Sequence, residues 1–148
     1  MEREEVLHKS LDKPNLDELK HFAEQLASES KGNQLILLIG DLGSGKTQFS
    51  RYFISALGGQ DIMSPSFAIE NQYKLENKSL HHFDLYRLED DGEVESSGLW
   101  DSFLPGDLVL VEWADRIDFK HWPVDWNILK LEFSLDHSVK LTHYAALA

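Results

Sequence analysis

The sequence predicts an α/β fold over residues 1–148, with a mainly parallel central sheet, flanking helices and a C-terminal antiparallel hairpin. Three observations predict this fold. A continuous aliphatic run at 34–39 has the pattern of a strand that is buried on both faces. A glycine-rich turn and an amphipathic helical pattern follow it directly. A second aliphatic run, at 108–112, ends in an acid, and helical patterns lie between the strands, as in layered α/β folds.

The first half of the chain supplies two helices around the strand at 34–39. The first helix is predicted to begin after Asn15, whose side chain can cap free N–H groups. Glu18 stands three residues later, as a capping box requires. The second helix is predicted to run from Lys46 to the stop at 58–59, because apolar residues recur at helical spacing along it.

The second half of the chain adds strands. Residues 79–84 and 108–112 each end in an acid, and we expect the charged stretch at 89–95 to be a loop. The tail is expected to form a hairpin whose strands join around 136–137. No repeat, low-complexity linker or domain boundary interrupts the pattern, so we expect 1–148 to form a single domain.

Composition and charge exclude several function classes. Acids outnumber Lys and Arg by 26 to 14, giving a net charge of −12, and the cations are scattered. We therefore expect little direct nucleic-acid binding. The negative charge would either attract a basic partner protein or only keep the protein soluble. The chain has no cysteine, no apolar run near the twenty or so residues of a membrane span and no secretory signal pattern. A cytoplasmic protein without a membrane partner is expected.

Residues 40–47, GDLGSGKT, match the complete pattern G-x-x-x-x-G-K-[ST]. Gly43 and Gly45 can adopt positive φ at no steric cost, so successive N–H groups can turn inward around an anion. The helix beginning near Lys46 directs its positive end to the same point. Lys46 can reach the β- and γ-phosphates, and the Thr47 hydroxyl can ligate Mg²⁺. The pattern predicts a P-loop NTPase, and the missing N-K-x-D motif favours ATP over GTP.

Acids at strand ends could complete such a site. A P-loop site needs a further acid near Mg²⁺ and a group that orients the nucleophile. Asp84 and Glu112 each close a strand, where an acid faces the crevice in which α/β folds bind ligands; each could also be an ordinary surface acid. Ser66, in MSPSF at 63–67, could approach Mg²⁺ or belong to a plain turn. Arg87 could pair with phosphate or with an acid, and Trp113 is expected to be a packing residue beside the site.

Four motifs, GDLGSGKT, SPSF, HHFDLYRL and LVEW, resemble in order and separation the TsaE (formerly YjeE) family of bacterial P-loop ATPases, from about Ser10 to Phe133. The resemblance implies a Mg²⁺-dependent ATPase that is weak alone and activated by its partners TsaB and TsaD. Those partners form N6-threonylcarbamoyladenosine (t6A) at position 37 of tRNA. The ATP cycle would support turnover of the TsaB–TsaD complex, so the action on tRNA would be indirect.

The resemblance also implies roles for individual residues. Lys46 would hold phosphate, Thr47 and Glu112 would hold Mg²⁺, Asp84 would aid hydrolysis, and Ser66 would stand in for the family's usual Thr near the metal. The catalytic set would be Lys46, Asp84 and Glu112. The nucleotide-binding set would be Ser10, Asn15, Asp41, Leu42, Gly43, Ser44, Gly45, Lys46, Thr47 and Gln48.

The sequence departs from the family pattern at two places. Gln48 follows Thr47 where the family usually has a second Thr, although its backbone N–H can still serve the α-phosphate. No Arg follows Arg116, so the family's frequent nucleotide contact from the last hairpin is left open, with His137 and Lys140 in that region.

Two other functions stay open on the sequence. A small-molecule kinase would need an acceptor pocket and a lid, for which few residues are left over. A nucleotide-gated binding module with incidental hydrolysis could dock through the acidic stretch at 89–95, which is more often a solvated loop.

Overall fold

The computed structural model describes residues 5–61, 70–88 and 90–147. These residues form one eight-stranded sheet and three α-helices. The strands are β1 (Glu5–Leu11), β2 (Gln34–Ile39), β3 (Gln60–Asp61), β4 (Glu70–Lys74), β5 (Ser79–Asp84), β6 (Leu108–Glu112), β7 (Asn127–Phe133) and β8 (Val139–Tyr144). The helices are α1 (Leu16–Glu29), α2 (Lys46–Ala56) and α3 (Asp91–Ser96), and three short 3₁₀ turns lie at Trp100–Ser102, Ala114–Arg116 and Phe119–His121.

The sheet is mixed, with the strand order β1-β8-β7-β2-β6-β5-β4-β3. Its four central strands, β7, β2, β6 and β5, are parallel. The outer strands on both sides are antiparallel. The antiparallel pairing of β8 with β7 was expected, whereas the antiparallel pairings of β1, β3 and β4 were not. Strands β1, β3 and β4 were not predicted, because none of them contains an unbroken aliphatic run like those of the centre.

Two apolar layers cover the sheet. On one face, α1 and α2 pack on side chains of the central strands, and Phe49 lies at the middle of this layer with no exposed surface. Its ring is 6.0 Å from that of Phe22, 5.7 Å from that of Phe53 and 5.9 Å from that of Phe133. Each fully buried side chain of this kind contributes about 1.5–3 kcal/mol. On the other face, α3 and the 3₁₀ turns cover a second cluster.

The capping-box prediction at α1 is confirmed. The Asn15 side chain accepts a hydrogen bond of 2.8 Å from the Glu18 N–H, and the Glu18 carboxylate accepts one of 3.0 Å from the Asn15 N–H. The predicted strands at 34–39, 79–84 and 108–112 have the expected bounds. The C-terminal hairpin of β7 and β8 is confirmed as well. None of the described helices is long and apolar enough to cross a membrane.

The expectation of a loop at 89–95 was wrong. Residues 91–96 form α3, and Asp90 caps it by accepting a hydrogen bond of 2.8 Å from the Glu93 N–H. Val94 anchors this short helix because its side chain is buried in the second apolar cluster. One apolar residue among acids and a glycine gives no helical periodicity, so the sequence pattern could not reveal it.

Candidate functional site

The turn from β2 into α2 has a backbone that glycine makes possible. Gly40, Gly43 and Gly45 have φ angles of 155°, 80° and 114°. Gly45 is the N-cap residue of α2 and supplies no side-chain cap. The first N–H groups of α2 therefore have no capping side chain to satisfy them, which suits an anion at this end of the helix.

Gly40 is also sterically required. A Cβ at this position would lie 2.7 Å from the Phe133 carbonyl oxygen and 2.8 Å from Ser44 Oγ. The turn thus passes directly against the end of β7. His137, in the β7–β8 hairpin, adds a contact of 3.2 Å between its Nδ1 and the Ser44 carbonyl oxygen. The hairpin and the glycine turn form one unit, although they are far apart in the sequence.

Lys46 lies at the centre of this turn and is only 4% exposed. Its ammonium donates hydrogen bonds to the Gly40 carbonyl and, at 3.4 Å, to the Asp41 carbonyl. Nζ is also 3.7 Å from the centre of the Trp113 ring, within the range of a cation–π contact. Burial lowers the pKa of Lys46, against the opposing effect of nearby carboxylates, chiefly that of Glu112. Backbone carbonyl oxygens thus accept hydrogen bonds from the Lys46 ammonium, and phosphate oxygens could accept the same hydrogen bonds.

Asp84 and Glu112 lie side by side, because β5 and β6 pair in parallel with these two residues in register. Their surroundings differ. Glu112 is 6% exposed, and its Oε2 is 2.7 Å from His82 Nε2. Asp84 is exposed, and its Oδ1 accepts a hydrogen bond of 3.0 Å from the Tyr86 N–H. The pair offers one buried and one solvated carboxylate at the same edge of the sheet.

A cleft of about 350 Å³ connects these features. Nine of the predicted site residues line it: Asp41, Leu42, Gly43, Gly45, Lys46, Thr47, Gln48, Asp84 and Glu112. The Thr47 hydroxyl and the Glu112 carboxylate are oxygen donors, the kind that Mg²⁺ prefers. The described residues contain no group of three or more His, Cys, Asp or Glu side chains that could hold a metal by themselves. The donor set fits a Mg²⁺ ion that shares its coordination with waters and phosphate oxygens.

A second cleft, of about 300 Å³, adjoins the first. Gly45 and Gln48 line both clefts. Asn15, Ser44 and Phe133 line the second, together with His137, which has a left-handed backbone with φ of 72°. This places two further predicted nucleotide-binding residues, Asn15 and Ser44, next to the glycine turn.

Ser10 and Arg87 are not brought to the clefts. Ser10 lies in β1 opposite Lys140 and lines neither cleft. Ser66 lies outside the described residues, so its prediction stays as it stood. Arg87 is exposed and does not line the clefts either. Trp113 borders the first cleft, with its ring 5.0 Å from that of Tyr86, as expected of a packing residue beside the site.

Three residues of the site were missed from the sequence. Arg51 lines the cleft one helical turn after Thr47, a spacing that could have identified it. His82 precedes Asp84 by two residues and therefore shares its face of β5, a second signal that was available. Tyr86 follows the strand within the HHFDLYRL motif, but it was given no role. Arg116 fixes the Tyr86 segment by donating a hydrogen bond of 2.9 Å to the Tyr86 carbonyl.

The sheet, the glycine turn and the carboxylates define a single-sheet mixed α/β protein with a candidate anion-binding cleft at the carboxyl end of its central strands. A family model described as "Threonylcarbamoyl adenosine biosynthesis protein TsaE" matches residues 13–141. The chain belongs to the TsaE family.

Individual relatives agree with this assignment. The tRNA threonylcarbamoyladenosine biosynthesis protein TsaE of Rickettsia felis is 41% identical over 105 residues, covering 70% of this chain and 61% of that protein. The protein of the same name from Bacillus subtilis is 40% identical over 105 residues, covering 70% of this chain and 65% of that protein. The matches thus span less than two thirds of these relatives. The crystal structure of Bacillus subtilis YdiB is similar with a TM-score of 0.67 and 27% identity, covering 99% of this chain and 89% of that one.

Proposed function

We propose that this protein is a Mg²⁺-dependent P-loop ATPase that acts, with TsaB and TsaD, in the formation of t6A at position 37 of tRNA. The relatives' names support the pathway. The single observation that carries the ATPase proposal is the convergence of Lys46, Thr47 and Glu112 on one cleft beside a turn with three positive-φ glycines. A P-loop NTPase domain over 1–148 accounts for this arrangement, with the described parallel strands delivering the acids to the cleft.

Each side chain has a separate task in this proposal. The N–H groups of the glycine turn and of the first turn of α2 bind the phosphates. Lys46 exchanges its two backbone carbonyls for phosphate oxygens, and because it is largely buried its charge acts with little solvent screening. Thr47 and Glu112 would hold Mg²⁺, and the ion would supply positive charge beside the β- and γ-phosphates.

Asp84 acts on the attacking water. Its carboxylate is exposed at the cleft and points to the same strand edge as Glu112, so it can accept a hydrogen bond from water without displacing the metal ligand. The second cleft receives the nucleoside, because it joins the first at Gly45 and Gln48 and combines the apolar wall of Phe133 with the amide of Asn15.

The proposed role is to drive a partner rather than to make a product of its own. The net charge of −12 opposes direct binding to tRNA phosphates, so TsaB and TsaD would provide the contact with tRNA. This assignment places the protein in the cytoplasm with the tRNA pool.

The test is ATP hydrolysis by the full chain with and without TsaB–TsaD, together with a count of t6A formed per ATP hydrolysed. Slow hydrolysis alone, stimulation by the partners and t6A that depends on ATP hydrolysis are expected. ADP formation that requires a small acceptor would establish a kinase instead. Full t6A formation by a Glu112→Ala variant that no longer hydrolyses ATP would favour a nucleotide-gated binding module.

A further inference from the structure

His82 is the partly buried neighbour of the proposed metal ligand. Its side chain is 13% exposed, that of Glu112 is 7% exposed, and His82 Nε2 is 2.7 Å from Glu112 Oε2. A carboxylate can only accept, so Nε2 carries the proton and donates the hydrogen bond. A short hydrogen bond to a carboxylate in a water-poor setting is among the stronger ones in proteins.

The other ring nitrogen of His82, Nδ1, makes no hydrogen bond like that of Nε2 among the described residues. His82 Nδ1 is buried and has no hydrogen-bond partner among the described residues. A buried polar atom left unpaired destabilises the folded state, because it has lost its hydrogen bonds to water. A purely structural histidine would be expected to satisfy both nitrogens, as the adjacent His81 does with Glu70 at 3.0 Å and Asp107 at 2.9 Å. Among the described residues, β5 therefore carries one histidine with both nitrogens bonded and one whose only hydrogen-bond partner is Glu112.

We infer that His82 is a positioning residue that fixes the carboxylate of Glu112 through Oε2 and leaves Oε1 to face Mg²⁺. The inference rests on the proposed function, because it assigns Glu112 to the metal. Hydrogen bonds to a ligating carboxylate set its orientation and basicity, and their loss typically lowers metal affinity or activity by about 10–100-fold. His82 itself does not touch the nucleotide: it does not line the first cleft, whereas Glu112 does.

Two polar substitutions of similar character separate this role from general stability. In His82→Gln the side-chain amide nitrogen can reach the place of Nε2 and keep the hydrogen bond to Glu112. In His82→Asn the amide nitrogen reaches only the place of Nδ1, so Glu112 loses its donor. His81→Asn is the matched control, because it makes the same change one residue away on the opposite face of β5, where the partners are Glu70 and Asp107.

The measurement is the affinity for adenylyl imidodiphosphate in Mg²⁺ and in EDTA, by calorimetry on the full-length protein, below the melting temperature of every variant. The ratio of the two affinities isolates the metal contribution. His82→Asn should lower this ratio by about tenfold or more, with the affinity in EDTA unchanged, while His82→Gln and His81→Asn should keep the parental ratio.

Several results would overturn the inference. A parental ratio in His82→Asn would exclude a positioning role, and so would an equal loss of affinity in Mg²⁺ and EDTA. The same loss in His81→Asn would assign the effect to the stability of β5. If the unaltered protein showed no Mg²⁺-dependent binding, the proposed function would fail and this inference with it. If the unaltered protein did show Mg²⁺-dependent binding and His82→Asn kept the parental ratio, this inference alone would fail.

Discussion

Gly40→Ala is the sharpest test of how tightly the glycine turn is built. Alanine at this position would have to adopt φ of 155°, a conformation that costs an L-residue about 1–3 kcal/mol. Its Cβ would also overlap the Phe133 carbonyl oxygen at 2.7 Å and the Phe133 Cβ at 2.9 Å. These atoms belong to the backbone of β7 and to the root of a buried side chain, so they cannot move aside cheaply. Such overpacking costs about another 1–3 kcal/mol.

Gly43→Ala is the matched control within the same turn. Gly43 has φ of 80°, but a Cβ there would meet no atom within 4 Å. Its substitution carries the conformational cost of about 1–3 kcal/mol without the overlap. We expect the Gly40 variant to lose about 2–6 kcal/mol of unfolding free energy, a large part of the roughly 5–15 kcal/mol of a typical domain.

Urea unfolding followed by tryptophan fluorescence, without nucleotide, measures both variants. The slope of the free energy against urea should stay constant, so that the midpoints compare stability alone. Equal losses for Gly40→Ala and Gly43→Ala would refute the reasoning, because they would show that the contact with Phe133 carries no energy. A larger loss for Gly43→Ala would refute it as well.

Four further predictions concern the site and the caps. Lys46→Ala and Thr47→Ala should each abolish ATP-dependent support of t6A formation in a reconstituted assay, since they remove the proposed phosphate and Mg²⁺ contacts; normal modification with either would contradict this. Asp84→Asn should bind ATP like the parent but hydrolyse it more slowly in a turnover assay, and unchanged turnover would remove Asp84 from the catalytic set. Asn15→Ala should cost about 1 kcal/mol in urea unfolding, because it removes the cap of α1; no loss would mean that solvent replaces the cap. Hydrogen bonding from Ser138, whose backbone N–H donates to Asp136 Oδ1 at 3.0 Å, lowers the pKa of Asp136 below its ordinary value of 3.8. The stabilisation of the fold by this ionised carboxylate is therefore present above pH 3.8 and is lost as the pH falls through the lower pKa of the folded state. An NMR titration with its midpoint at or above 3.8 would contradict this.

The sequence predicted the parts of the fold that depend on local patterns. The aliphatic runs at 34–39 and 108–112 became the buried parallel centre, because a strand covered on both faces needs apolar residues at every position. The turn at 40–47 was predictable because its chemistry is local: glycines, a helix start and a lysine lie in one short stretch. Strands β1, β3 and β4 were missed, since they lie in the outer part of the sheet, where solvent tolerates polar side chains.

Contacts between distant segments were the parts of the site that the sequence could not reveal. Glu112 was predicted as an acid at a strand end, but its partner His82 depends on the pairing of β5 with β6. The position of Lys46 against Trp113 depends on how the residue after Glu112 turns, with φ of 59° at Trp113. A single sequence contains the members of these pairs but not the register that brings them together.

The hairpin of β7 and β8 contacts the glycine turn through His137 and Phe133. Ser44 and His137 are 93 residues apart in sequence, yet the ring of one contacts the carbonyl of the other. Phe133 lies against Gly40 of the turn, and its ring also packs against that of Phe49 in α2. An anion-binding turn works best when its N–H groups are already oriented before the ligand arrives, because the ligand then bears little of the ordering cost. In this protein the turn packs against the end of β7, so substitutions in the hairpin should weaken the proposed phosphate binding without changing the P-loop motif itself.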